Sequence, residues 1–252
     1  RKEINKINDN YNNERSDYSP QSYQLGKSWD TAVNFTDYRG WIDFIKKILC
    51  TQRIVNLCEI GPGSGYYTRE IIRIAKPKKY SCVEINSQFR KYLKDKISQI
   101  IPNENLIISE NIDHLSQIDC KYDIILFLSS LHHIPDREKL FRELNKMTVK
   151  GSKILFIEPT HYIPRIANLL KKYIKTHRKK IFWEDRNNLS THHFCTEKEI
   201  KILSKINNFK YCETKIIKLH PIYNKMKLNK LLFSNYLAKL FSIEFGVMIE
   251  RI

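Results

Sequence analysis

The sequence predicts an α/β fold in which a largely parallel sheet is covered by helices on both faces. Runs of strand length that are apolar throughout alternate with amphipathic helical segments, the pattern of strands buried on both sides. Three of only seven glycines fall within five residues, Gly61, Gly63 and Gly65, directly after the first of these runs. At 252 residues the chain is long enough for one large core domain with a modest cap.

Residues 1–35 are polar, dotted with aromatics and without clear periodicity, and read as a tail or lid. Tyr38, Trp41, Ile42, Ile45, Ile48 and Leu49 then mark one face of a helix. The alternation that follows predicts strand 54–60, helix 66–75, strand 80–85, helix 88–97, strands 105–109 and 122–128, helix 137–147 and strand 153–158. Ser87 and Asp136 are candidate helix caps, Pro77 closes the helix before it, and Gly151 suits the C-terminal turn of helix 137–147.

Ile166, Leu169, Leu170, Tyr173 and Ile174 form an apolar stripe on a basic helix, so 161–195 reads as a helical cap inserted after the fifth strand. The remainder predicts a helix near 196–206, a strand near 209–219, a Lys-rich helix near 224–240 and a last strand, 242–251. The division is therefore a tail or lid, 1–35, and one domain, 36–252, made of core 36–160, cap 161–195 and a C-terminal part of the core, 196–252.

No stretch approaches the roughly 20 apolar residues of a membrane span, and the N-terminus lacks an initiator Met and a signal-peptide pattern, so residue 1 reads as a processing boundary. The six cysteines stand singly with no C-x-x-C spacing, which fits buried free thiols in a reducing cytoplasm and argues against a structural zinc site. No metal is expected. The net charge of +17 admits nucleic acid, anionic lipid or an acidic partner, the last including an acidic carrier protein or a phosphorylated metabolite. Lysine outnumbers arginine 31 to 13 beside abundant Asn and Ile, a composition that an AT-rich coding sequence also produces. The excess is concentrated in 161–186 and 214–243.

The glycine turn carries the chemistry. A parallel sheet binds ligands at the carboxyl ends of its strands, and the first strand-to-helix turn is the usual place. Gly61-Pro62-Gly63-Ser64-Gly65 is G-x-G-x-G preceded by Glu59, whereas a dinucleotide turn uses G-x-G-x-x-G to seat a pyrophosphate on the helix N-terminus. An acid at the strand end suits an ammonium group, and flat glycine backbone suits a ribose or an amino-acid moiety lying against it.

From Leu57 to Gly65 the sequence resembles the first motif of the class I S-adenosylmethionine-dependent methyltransferases, and Cys82-Val83-Glu84-Ile85 resembles their second strand. The stretch from Tyr122 through His132-His133-Ile134-Pro135-Asp136 is similar to the fourth-strand segment of the small-molecule branch. The resemblance covers roughly residues 38–160. It implies a Rossmann-like, seven-stranded mixed sheet in the order 3-2-1-4-5-7-6 with the last strand antiparallel, and S-adenosyl-L-methionine as cofactor. It also implies that Glu84 takes both ribose hydroxyls, that Ile85 packs on adenine, and that Glu110, Asn111 and Ile112 meet the adenine edge, with Glu110 where Asp is more usual. Glu59, Gly61, Pro62, Gly63, Gly65, Phe127 and Leu128 complete the implied cofactor set.

Methyl transfer from a sulfonium is an in-line displacement, so the protein mainly aligns the acceptor and excludes water. A hydroxyl or amine acceptor must also lose a proton, and histidine titrates in the right range to take it. His132 or His133 is the candidate base, with His193 of the His192-His193 pair in reserve. Tyr23, Trp29 and Tyr162 are candidates to wall the acceptor pocket. The fourth strand does not end in Asn/Asp-Pro-Pro-Tyr/Phe and no Pro-Cys dipeptide occurs, which disfavours direct base methylation. The expected reaction is methyl transfer to an O or N atom of a small molecule, free or carrier-bound. An RNA-modifying or RNA-binding role for the basic segments is the alternative.

Overall fold

A computed structural model describes residues 39–65, 67–134, 136–159, 195–219 and 242–252. In chain order the elements are α1 (Arg39–Leu49), β1 (Asn56–Ile60), α2 (Thr68–Ala75), β2 (Lys79–Val83), α3 (Ser87–Ile97), β3 (Leu106–Ser109), α4 (Ile112–Gln117), β4 (Ile124–Leu128), α5 (Arg137–Met147), β5 (Lys153–Pro159), α6 (Glu197–Ile206), β6 (Phe209–Leu219) and β7 (Ser242–Arg251). Short 3-10 turns precede β3, at Asn103–Asn105, and follow β4, at Leu131–His133.

The strands form one seven-stranded sheet in the order β3-β2-β1-β4-β5-β7-β6. The β1–β2, β2–β3, β1–β4 and β4–β5 pairs are parallel, and β7 runs antiparallel to both β5 and β6. This is the order and the antiparallel last strand that the resemblance implied. Alternate strand residues supply two cores. Phe127, Phe156, Ile125 and Ile154 face Phe141, Leu144 and Ile200 of α5 and α6. Leu57, Leu126, Leu155 and Ile157 face Phe44, Ile45 and Ile48 of α1, Ile71 of α2 and Leu93 of α3. Burial on both faces explains why these strands are apolar without alternation.

The boundaries depart from expectation for local reasons. The β1 ladder starts at Asn56 rather than at residue 54, because the Asp123 carboxylate takes the N–H groups of Val55 and Asn56 at 2.7 and 2.8 Å. Asn86, not Ser87, caps α3: its extended backbone lets its side chain accept from the N–H groups of Gln88 and Phe89, and Ser87 is already the first helical residue. Asp136 caps α5 as expected, accepting from Lys139 N–H. Gly151 does not end α5, which stops at Met147 with Thr148 extended; Gly151, at φ 85°, turns the chain between Val149 and Ser152 instead. Helix α4 has no expectation behind it, being six residues capped by Asn111.

Cys58, Cys82 and Cys195 are buried free thiols, as expected of thiols in or beside apolar runs, whereas Cys120 and Cys212 are half-buried and Cys50, just past α1, is exposed. No helix among the described residues is long and apolar enough to cross a membrane. The tail 1–35, nearly all of the cap 161–195 and the Lys-rich segment 224–240 lie outside the described residues.

Candidate functional site

The carboxyl ends of β1, β2, β3 and β4 converge where the strand order reverses, since the chain leaves β1 toward β2 on one side and meets β4 on the other. In an open parallel sheet that crevice is where ligands bind. Gly61, Gly63 and Gly65 all have positive φ, 70°, 59° and 74°, in the turn that follows β1. Side chains rarely adopt that backbone, which accounts for the concentration of glycine there. Gly61 N–H donates to Val83 O at 2.8 Å and Gly65 N–H to Pro62 O at 3.0 Å, so the turn is tied to β2 and folded on itself.

Glu84 stands beyond the end of β2 and is 6% exposed. Its Oε2 accepts from Gly63 N–H and its Oε1 from Asn86 N–H, both at 2.9 Å. The glycine turn and the acid are thus joined directly. A carboxylate oxygen can accept more than one hydrogen bond. Ile85 beside it is 45% exposed, an apolar surface at the mouth of the crevice. Arg90 of α3 braces this corner, donating from Nη1 to the carbonyls of Glu84 and Ile85 and from Nη2 to Glu110 Oε2 at 3.3 Å. Glu110 is itself exposed. Asn111 accepts from His114 N–H and starts α4, and Ile112 packs against the core.

Glu59 is not an open acid at the strand end. It is 2% exposed, and its Oε2 accepts from Thr68 Oγ1 at 2.8 Å and Tyr80 Oη at 2.7 Å. Burial pushes its carboxyl above the usual range, against the lowering pull of the two hydroxyls, and the nearby Glu84 charge adds to the rise. Phe127 is also turned away from the crevice: it is fully buried, with its ring 4.9 Å from that of Phe156. Leu128 is buried in the opposite core. These two residues can offer the site backbone atoms only, because a strand buried on both faces points its side chains into the layers.

The chain leaves β4 through Ser129 in left-handed conformation, φ 59°. Ser130 Oγ then donates to Ile60 O at 2.6 Å, which closes the β4 exit over the β1 exit. His132 and His133 follow in the 3-10 turn, with ring centroids 4.1 Å apart. His132 is 5% exposed and His133 half-buried.

Glu158 is the site residue that sequence reasoning missed. It is the penultimate residue of β5 and is fully buried. Its Oε1 accepts from the N–H groups of Ser130 at 3.0 Å and Leu131 at 2.7 Å, and its Oε2 lies 2.7 Å from His132 Nδ1. The signal was present in the sequence: Glu158 directly follows the apolar run Ile154–Ile157, as Glu84 directly follows Cys82-Val83. His193, Tyr23, Trp29 and Tyr162 lie outside the described residues, as do most of the two basic segments.

The sheet order and the elements around it form the Rossmann-like fold of the class I S-adenosylmethionine-dependent methyltransferases. The family described as a methyltransferase domain matches residues 58–156, from the middle of β1 to the middle of β5. Among curated relatives, malonyl-[acyl-carrier protein] O-methyltransferases 1 and 2 of Ilyobacter polytropus are 26% identical over 106 residues and 30% identical over 107 residues. Each match takes in 42% of this chain, and 38% and 40% of the relatives, so the chain spans about two fifths of their length. Among solved structures, magnesium protoporphyrin IX methyltransferase of Synechocystis PCC 6803, crystallised with bound SAH (S-adenosylhomocysteine), superimposes with a TM-score of 0.54 at 13% identity. That superposition covers 88% of this chain and 90% of the other.

Proposed function

We propose that the chain is an S-adenosyl-L-methionine-dependent methyltransferase acting on an O or N atom of a small molecule, free or carrier-bound. The observation that carries the reading is the join between Glu84 and the glycine turn: a buried carboxylate held by Gly63 N–H, with exposed Ile85 alongside. That arrangement fits the cofactor, because a carboxylate accepts from two vicinal hydroxyls at once and an exposed Ile offers a flat base an apolar floor.

In this reading Glu84 holds the ribose, Ile85 and Ile112 flank the adenine, and the positive-φ glycines let backbone lie close to the methionine moiety. Glu110, paired with Arg90, borders the adenine edge. When bound, the cofactor supplies a methyl group on a positively charged sulfur. The protein's part is to align the acceptor and shield the reaction from water. His132 or His133 takes the proton of a hydroxyl or amine acceptor as the new bond forms.

Relatives named for a malonyl group on a carrier protein support the carrier-bound version. A carboxylate acceptor arrives ionised at neutral pH, so the histidines would then orient it rather than deprotonate it. The test is incubation with methyl-labelled cofactor, first with malonyl-[acyl-carrier protein] and then with a metabolite extract, followed by mass spectrometry of the labelled product. A labelled ester or N-methyl compound is expected. Binding of S-adenosylhomocysteine with no labelled product from either source would contradict catalysis and leave a cofactor-binding scaffold.

A further inference from the structure

The buried Glu158 carboxylate touches neither the glycine turn nor Glu84, yet it is densely partnered. Moving an ionised carboxyl out of water costs several kcal/mol unless donors replace the lost hydration. Here the donors come from three successive residues of one turn: Ser130 and Leu131 N–H on Oε1, and His132 N–H on Oε2 at 3.4 Å. Successive backbone N–H groups converging on one anion form a nest. A carboxylate kept only to hold the turn would need nothing more. Oε2 nevertheless makes its shortest contact, 2.7 Å, with the imidazole Nδ1 of His132.

We propose that Glu158 is the positioning residue for His132, fixing the imidazole in the tautomer that carries hydrogen on Nδ1 and a lone pair on Nε2. The inference rests on the reading of His132 as the group that takes the acceptor's proton. With backbone donors on both of its oxygens, the carboxyl acts as an acceptor, so the hydrogen between Oε2 and Nδ1 belongs to Nδ1. Nε2 then holds the electron pair that can receive a proton. As an acceptor O–H or N–H gives its hydrogen to Nε2, the electron pair it leaves on O or N forms the bond to the methyl carbon. The methyl–sulfur bond breaks with its electrons going to sulfur. The imidazolium so formed lies against a carboxylate, which stabilises it.

The same carboxylate reaches the cofactor side. By holding Ser130 N–H it sets the residue whose Oγ bonds Ile60 O, one position before the glycine turn. The His132 ring in turn lies against that of His133, so orienting one constrains the other.

The test uses the full chain with nitrogen-15-labelled histidine and long-range proton–nitrogen spectra that report which ring nitrogen carries hydrogen. His132→Asn assigns the signal, and Glu158→Gln is the probe. Titration with S-adenosylhomocysteine is run on every sample. The expected result is an Nδ1-protonated His132 in the unaltered protein. In Glu158→Gln the hydrogen moves to Nε2, because Oε1 stays with Ser130 and Leu131 and the new amide NH2 faces Nδ1. Hydrogen on Nε2 in the unaltered protein, or a tautomer that ignores Glu158→Gln, would overturn the proposal. Should Glu158→Gln fail to fold, the unaltered protein's spectrum decides alone. Absence of S-adenosylhomocysteine binding sinks the methyltransferase reading separately, whatever the tautomer.

Discussion

Gly61 and Ser130 meet where β1 and β4 leave the sheet: a Cβ built on Gly61 would lie 2.7 Å from Ser130 Cβ, and Ser130 Oγ donates to the carbonyl just before Gly61. The glycine is therefore required twice, by its φ of 70° and by its neighbour. Gly61→Ala is expected to cost about 2–4 kcal/mol in urea unfolding, from overpacking and backbone strain together. Adding Ser130→Gly relieves the contact but not the φ, so the double variant should recover part of the loss. Simple additivity of the two losses would mean the contact carries no energy.

Glu84→Ala removes the acceptor of Gly63 N–H and Asn86 N–H together with the proposed partner of the ribose. S-adenosylhomocysteine affinity is expected to fall on the order of a hundredfold or more, two hydrogen bonds to a charged group being worth about 1.5–3 kcal/mol each. Calorimetric titration checks it. An affinity within about twofold of the unaltered protein would remove Glu84 from the site, since a single such bond already exceeds that change.

Glu59 gives a pH signature. Its folded-state pKa lies above the unfolded value of 4.5, so the folded protein binds the extra proton, and the stability this contributes is complete below 4.5. It is lost as pH rises through the folded value. Glu59→Gln keeps an oxygen to accept from Thr68 and Tyr80 without the buried charge. The variant should gain on the unaltered protein in melting temperature as pH is raised from 4.5 toward neutrality. A constant difference over that range would contradict the burial argument.

Gly246 of β7 faces α1 closely enough that a Cβ would fall 2.3 Å from Phe44 Cε1. Gly246→Ala is expected to cost about 1–3 kcal/mol by overpacking. It lies on the far side of the sheet order from the glycine turn, so S-adenosylhomocysteine affinity below the melting transition should stay within about twofold. A large affinity loss would mean that α1 couples to the site.

Most of the fold was legible because strands buried on both faces and helices with one apolar stripe leave unmistakable runs, as in Ile124–Leu128 and in Trp41 to Leu49. The glycine turn was legible because positive φ selects glycine in a chain that has few. What the sequence concealed is side-chain direction. Nothing in the string says that Glu59 turns inward to Tyr80 while Glu84 turns to Gly63, since each is an acid within one residue of a strand's end. Glu158 was hidden for a related reason: its partners lie 26 to 28 residues away and are mostly backbone N–H groups, which carry no sequence signature. Helix α4 escaped because six residues are too short to display a period.

The claim on which the account turns is that the bend after β1, together with Glu84, receives S-adenosyl-L-methionine. Isothermal titration of the full chain with S-adenosylhomocysteine and, in parallel, with NADH measures it directly. Saturable binding of S-adenosylhomocysteine that Glu84→Ala abolishes or weakens is expected, and no binding of NADH. NADH binding alone, or S-adenosylhomocysteine binding untouched by Glu84→Ala, would contradict it.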